Sequence, residues 1–166
     1  VANTAWACGK LGSKSRSLFA EIDKNAESFV EKGTPQEVAN TAWACSTLGF
    51  AAPRLFVEID KNAESLVEKG NVQSIANTAW ACGKVGHGSG NLFAEIDKNA
   101  KSFVANGNPQ SIANTAWACG KLDFDAPNLF AEIDINAKSL VMNGDPQQIA
   151  SISWAFGKLG FFAPAF

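Results

Sequence analysis

Cysteines, carboxylates and a single histidine are the residues whose types and spacing could carry chemistry in this chain. Cys8, Cys45, Cys82 and Cys119 stand 37 residues apart. Thiolates are nucleophiles and metal ligands, but zinc sites use short paired spacings and secreted disulfide frameworks use irregular ones. Equivalent positions on adjacent packed helices lie about 8–10 Å apart, beyond the roughly 7 Å between Cα atoms that a disulfide tolerates. The cysteines are therefore expected to be small buried residues, and Phe156 at the fifth equivalent position agrees. Reduced thiols fit an intracellular, reducing compartment. The recurrent Glu-Ile-Asp pairs, such as Glu21/Asp23 and Glu95/Asp97, are two residues apart. On a helix that places the carboxylates about 200° around the axis, too far for an acid–base dyad. Lys24 with Glu27, and Lys61 with Glu64, read as i, i+3 surface pairs. His87 sits in the connector Gly86-His87-Gly88-Ser89-Gly90, which lacks the preceding strand and Gly-Lys-Ser/Thr pattern of a phosphate loop, and reads as a loop residue. No nucleophile has a base beside it. These residues point to no enzyme, no metal site and no cofactor.

The elements that position them are set by an internal repeat. Trp6, Trp43, Trp80, Trp117 and Trp154 each follow the last by 37 residues, four of them within Ala-Asn-Thr-Ala-Trp-Ala-Cys. Leu-Phe-Ala-Glu-Ile-Asp-Lys-Asn-Ala recurs at 18–26 and 92–100, with variants at 55–63 and 129–137. The units run 1–33, 34–70, 71–107, 108–144 and 145–166, and both terminal units are partial, as in a piece of a longer array. Each full unit encodes two helices. Thr34-Pro35, Asn108-Pro109 and Asp145-Pro146 place a capping residue before a proline at the first helical position, and Asn71-Val72 keeps the cap alone. The first helix, of about 14 residues, should end at a left-handed Gly49, Gly86 or Gly160, with Asp123 departing from the rule. The second, of about 17 residues, should end at Gly33, Gly70, Gly107 and Gly144, again as C-cap glycines.

Leu55, Phe56, Ile59, Ala63, Leu66 and Val67 follow helical spacing on the second helix. On the first helix, Val38, Thr41, Ala42, Cys45 and Leu48 cover much of the circumference, and Ala39 with Trp43 extends the stripe. A helix apolar on several sides must be packed on several sides. The fold expected is all-α, an α-solenoid of stacked antiparallel helix pairs forming a single domain over 1–166. The tryptophans read as one large core residue per layer, with base stacking as the alternative.

A polar stripe is left over on the first helix. It comprises Gln36, Asn40, Ala44 and Thr47 in the second unit, and Gln73, Asn77, Ala81 and Lys84 in the third. The fourth has Gln110, Asn114, Ala118 and Lys121; the fifth has Gln147, Ser151, Ala155 and Lys158; the first retains Asn3, Ala7 and Lys10. Stacking would align it into a groove of amides, with a small alanine leaving room and a cation at one edge. The first helices carry Lys10, Lys84, Lys121 and Lys158 against Glu37, a balance of +3 within a net charge of −2, so the rest of the chain is at −5. Amides can read base edges and lysine suits phosphate. A protein-binding groove uses the same residue types equally well.

The segment Ile-Ala-Asn-Thr-Ala-Trp-Ala-Cys-Gly-Lys-Val-Gly (75–86) resembles the signature of octotricopeptide repeats, which also accompany RAP-domain proteins. The resemblance runs through every unit. The period is one residue short of that family's, and Thr and Cys replace bulkier aliphatic residues. It implies an RNA-binding helical solenoid acting in chloroplasts or mitochondria on transcript processing, translation or ribosomal RNA, with Asn40, Asn77, Asn114, Lys84 and Lys121 facing the RNA. If each unit reads one base, near-identical units should prefer near-identical bases over about four or five nucleotides. The alternative is a protein-interaction or structural scaffold within a large assembly. With 46% apolar and 18% charged residues the composition is that of a folded domain, and no run of eighteen apolar residues could span a membrane.

Overall fold

A computed structural model describes residues 2–12 and 15–165. Unit one holds α1 (Ala2–Leu11), α2 (Arg16–Lys24) and α3 (Ala26–Lys32). Unit two holds α4 (Pro35–Leu48), α5 (Pro53–Lys61) and α6 (Ala63–Lys69). Unit three holds α7 (Val72–Val85), α8 (Gly90–Lys98) and α9 (Ala100–Asn106). Unit four holds α10 (Pro109–Leu122), α11 (Pro127–Ile135) and α12 (Ala137–Asn143), and unit five contributes α13 (Pro146–Leu159). Among the described residues there is no strand, and no helix is long and apolar enough to cross a membrane.

The first helix of each full unit has the 14 residues its punctuation predicts. Thr34 accepts from the Glu37 amide while the Glu37 carboxylate accepts from the Thr34 amide, a reciprocal capping box, and Asp145 with Gln148 repeats it. Asn71 and Asn108 cap through Ser74 N and Ser111 N. At the other end Gly49, Gly86 and Gly160 are left-handed, and Asp123 adopts the same conformation at φ 51°. Asp123 therefore breaks the residue pattern without breaking the turn, since a short polar side chain tolerates this region. The next residue's amide bonds back to the helix, as Phe50 N to Cys45 O and His87 N to Cys82 O, which completes a Schellman motif. His87 is thus more than a loop residue. It occupies the place of Phe50, Phe124 and Phe161, and its ring lies 5.8 Å from that of Phe56 in the preceding unit.

The second helix spans the expected residues but is broken in two. Asn25, Asn62, Asn99 and Asn136 leave helical geometry, with φ near −100° and ψ of 10–25°. Each asparagine Nδ2 donates to the carbonyl of the Glu four residues earlier at 2.8–2.9 Å, the same carbonyl that accepts from the asparagine's own backbone amide. Glycines 33, 70, 107 and 144 are extended, with φ between −77° and −88°, and not left-handed. What excludes a side chain there is space. A Cβ on Gly70 would stand 2.5 Å from the Leu66 carbonyl oxygen and 3.2 Å from Ile75 Cγ1.

Packing runs from unit to unit. The first helices form one row in which α1 meets α4, α4 meets α7, α7 meets α10 and α10 meets α13. The second helices form another, through α3–α5, α6–α8 and α9–α11. Phe19, Phe56, Phe93 and Phe130 are fully buried one per unit, with Ile59, Ile96 and Ile133 beside them. Each such side chain removed from water stabilises the fold by about 1.5–3 kcal/mol.

Candidate nucleic-acid interface

The polar positions singled out in the sequence lie on the row of first helices. On α7, Gln73 and Lys84 are exposed while Asn77 and Trp80 are half-buried; α10 repeats this with Gln110, Lys121, Asn114 and Trp117. On α4, Gln36 and Thr47 are exposed beside half-buried Asn40 and Trp43. On α13, Gln147 and Lys158 are exposed with Ser151 half-buried, and on α1, Asn3 and Lys10 are exposed. The fourteen polar positions therefore share the open side of one row. Between α10 and α13, Gln110, Asn114, Gln147 and Ser151 line a hollow of about 130 Å³. Ser151 Oγ there donates to Gln147 O within its own helix.

Two expectations about this face need correcting. Ala44, Ala81, Ala118 and Ala155 do not line it, for all four are buried at 0%. They lie on the flank where the previous unit packs: a Cβ on Gly83 would meet Ala118 Cα at 3.0 Å. The tryptophans are also not simple core residues. In the three units with a neighbour on both sides Trp43, Trp80 and Trp117 are half-buried, Trp43 and Trp117 against the core, and in the two partial end units Trp6 and Trp154 are 44% and 42% exposed. The helical wheel carried that signal. Gln36, Asn40, Trp43 and Thr47 follow i, i+4, i+7, i+11, so Trp43 shares the stripe's face.

Glycine explains how the indoles lie down. The six-membered rings of Trp43, Trp117 and Trp154 approach Gly9, Gly83 and Gly120 of the preceding unit so closely that a Cβ would stand 2.8, 3.2 and 2.7 Å from Cζ3. The second unit has Ser46 at that position, buried and turned back to donate to Trp43 O at 2.8 Å. Trp80 and Trp117 stack with ring centroids 6.3 Å apart and planes 30° apart. Lysines lie over the ring faces: Lys10 Nζ is 5.6 Å from Trp6 and 5.3 Å from Trp43, Lys84 is 5.7 Å from Trp80, and Lys121 is 6.0 Å from Trp117. Such contacts contribute about 0.5–1 kcal/mol at exposed rings. Lys158 is engaged differently, in a 2.7 Å ion pair with Asp123 of the preceding unit.

The remaining chemistry is structural. Burial pushes the thiols of Cys45 and Cys82 up to about 12 and raises that of Cys119 as well, while Cys8 is half-buried. Among the described residues no group of three His, Cys, Asp or Glu could hold a metal ion. The backbone and hydroxyl of Thr34 hold the Glu37 carboxyl below its usual range. Lys61 and Lys98 pair with Glu58 and Glu95, three residues before them, and Lys24 with Glu21; the expected Glu27 and Glu64 are not their partners.

The aspartates of Glu-Ile-Asp have a use that their local spacing does not disclose. Asp23 Oδ1 accepts from Leu55 N at 2.9 Å, Asp60 Oδ1 from Asn91 N and Leu92 N at 2.9 and 3.1 Å, and Asp97 Oδ1 from Leu129 N at 2.8 Å. Asp134 Oδ1 accepts from Ala165 N at 3.0 Å. Ser15, Ala52, Ser89 and Ala126, which precede α2, α5, α8 and α11, make no side-chain capping bond. For α5, α8 and α11 the cap comes instead from the unit before. Comparison of the chain with protein-family models and with curated proteins finds no match.

Proposed function

We propose that the chain is an RNA-binding helical-repeat module, a binding protein and not an enzyme, whose paired helices stack as an α-solenoid. Its place would be in an organellar ribonucleoprotein, in the chloroplast or mitochondrion, serving RNA processing, translation or the ribosome. The observation that carries this reading is the column of amide, indole and cation that each unit repeats on the open side of the first-helix row. Amides can pair with base edges, and cations in register with the units meet a phosphate backbone at regular intervals. Near-identical units would favour near-identical bases.

The test is fluorescence anisotropy with labelled RNA homopolymers and matching DNA across salt concentrations. Each phosphate contact on a single strand contributes a slope of about 0.7 in log affinity against log salt. The triple variant Lys10→Ala/Lys84→Ala/Lys121→Ala should therefore flatten the slope by about 2. Thr47→Lys supplies the cation that the second unit lacks and should steepen it by about 0.7. Absence of binding to every homopolymer at low salt would overturn the proposal.

A second reading, a protein-interaction scaffold, is favoured by one separate feature. Ile135 and Met142 are exposed on the second-helix row, at 74% and 75%. Such apolar surface suits a protein partner more than a polyanion.

A further inference from the structure

We infer that the tryptophan column is a stacking rail for unpaired bases, so that the RNA bound is single-stranded, with one nucleotide engaged per unit. This rests on the RNA reading above and specifies its chemistry. Trp43, Trp117 and Trp154 are anchored along one edge, over Gly9, Gly83 and Gly120 of the preceding helix, which fixes the ring's position, and Trp80 is held by stacking on Trp117 at 6.3 Å, leaving its other face for a base. On the ring face the nearest cation is a lysine ammonium, at 5.3–6.0 Å from the centroid for Trp43, Trp80 and Trp117. A lysine side chain is a flexible cover and not a packed wall. A base laid on the ring displaces it, and the ammonium swings outward on its four-carbon stem to the phosphate of the same nucleotide. Base–indole stacking outweighs the exposed cation–π contact it replaces, so the exchange is favourable.

The neighbouring residues complete the site. Asn77 lies three residues before Trp80 and Asn114 three before Trp117, on the same helix face, where a carboxamide can meet the edge of a base stacked on the ring. Glu37 is the single carboxylate on the first helices, which leaves the column suited to a polyanion. Duplex RNA would not serve, because its base faces are already stacked within the helix.

The chain contains no tyrosine, so its intrinsic fluorescence reports the tryptophans directly. The experiment titrates the full chain with oligouridylate, with an abasic ribose-phosphate strand of equal length and with duplex RNA, following both anisotropy and indole emission. The expected result is quenching and tight binding with oligouridylate alone. Trp80→Leu and Trp117→Leu should each weaken that binding by about five- to a hundredfold, leave the salt slope unchanged, and be partly rescued by Trp→Phe at the same position. Equal affinity for the abasic strand with unaltered emission overturns the stacking rail and leaves RNA binding standing. Equal affinity for the duplex overturns the single-strand assignment. Failure to bind any of the strands overturns the RNA reading and the rail with it. Should a leucine variant fail to fold, the wild-type comparison of oligouridylate with the abasic strand decides the question alone.

Discussion

The first and second helices of each unit solve the same problem, packing on a copy of themselves, in opposite ways. The first-helix row meets through alanine, glycine, threonine and cysteine, and its backbones come close enough that Gly83 has no room for a methyl group beside Ala118. Thin contacts of that kind leave the large indoles at the edge, half out of the core. The second-helix row meets through Phe56, Phe93, Phe130 and their leucine and isoleucine neighbours, all inside. Its charged residues are partly spent on joining units, since Asp23, Asp60 and Asp97 each cap the following unit's helix. The difference teaches that exposure, rather than residue type, separates the indole column from the core. The larger indoles of Trp43, Trp80 and Trp117 are left half-accessible, and the smaller rings of Phe19, Phe56, Phe93 and Phe130 are buried.

That contrast can be broken most severely at the buried ring. Phe93→Ala should cost about 3–5 kcal/mol in urea-induced unfolding, because the transfer free energy is lost and a cavity remains. If the chain binds RNA as proposed, the affinity of the fraction still folded should be unchanged, since the ring lies outside the indole column. A loss below 1 kcal/mol would show that the second-helix row does not hold the core.

A smaller effect is expected at the clasp between units. Asp60→Ala removes the acceptor for the Asn91 and Leu92 amides and should cost about 0.5–2 kcal/mol, the range for a lost helix cap. Asp60→Asn keeps a capping oxygen and should recover most of it. If alanine and asparagine behave alike, the carboxylate is not capping α8. Glu64→Ala, on the exposed surface of α6, should be near neutral in the same assay.

The smallest effect concerns pH and separates the buried thiols from the half-buried one. Burial raises the folded thiols of Cys45 and Cys82 to about 12, above an ordinary value of 9.0. Below that ordinary value both folded and unfolded chains keep the protons, and the contribution to stability is complete. As pH rises from 9 towards 12 the unfolded chain releases protons that the folded chain retains, so stability falls. At pH 9.5 the loss should be under about 1 kcal/mol per thiol. Chemical denaturation at pH 8 and 9.5 should show a shallower decline in the Cys45→Ala/Cys82→Ala variant. At neutral pH a thiol reagent should modify Cys8 well before the other three, and equal rates at all four would contradict the burial described.

How much was legible beforehand follows the range of the interactions. The caps at Thr34, Asn71, Asn108 and Asp145, the turn glycines 49, 86 and 160, and the 14-residue first helices are set by contacts within four or five residues, which a linear reading captures. Of the fourteen amide, hydroxyl and lysine positions on the 100° stripe, ten are exposed and Asn40, Asn77, Asn114 and Ser151 are half-buried. Spacing along the chain is uninformative where the partner lies a unit away. Ala44 and Trp43 sit on either side of the stripe, and which of them is covered depends on how the preceding helix leans in. Glycines 33, 70, 107 and 144 end their helices as expected but are extended and not left-handed, because the sequence shows a glycine and not the carbonyl it must avoid. The break at Asn25 and its equivalents was missed for a related reason: asparagine inside an amphipathic run keeps the hydrophobic period intact while bending the backbone.

The sequence by itself determined the 37-residue period, the helix ends, the buried phenylalanine column and the existence of one polar face, because each depends on local propensity or on apolar spacing along a single helix. The tertiary structure alone decided how closely an indole lies against the glycine of the preceding unit, and that the aspartates of one unit start the helix of the next. Those are contacts across some thirty residues of chain, such as Leu92 to Asp60 or Trp117 to Gly83. No residue's own chemistry specifies them. They follow from where the stacking of neighbouring units places two backbones side by side.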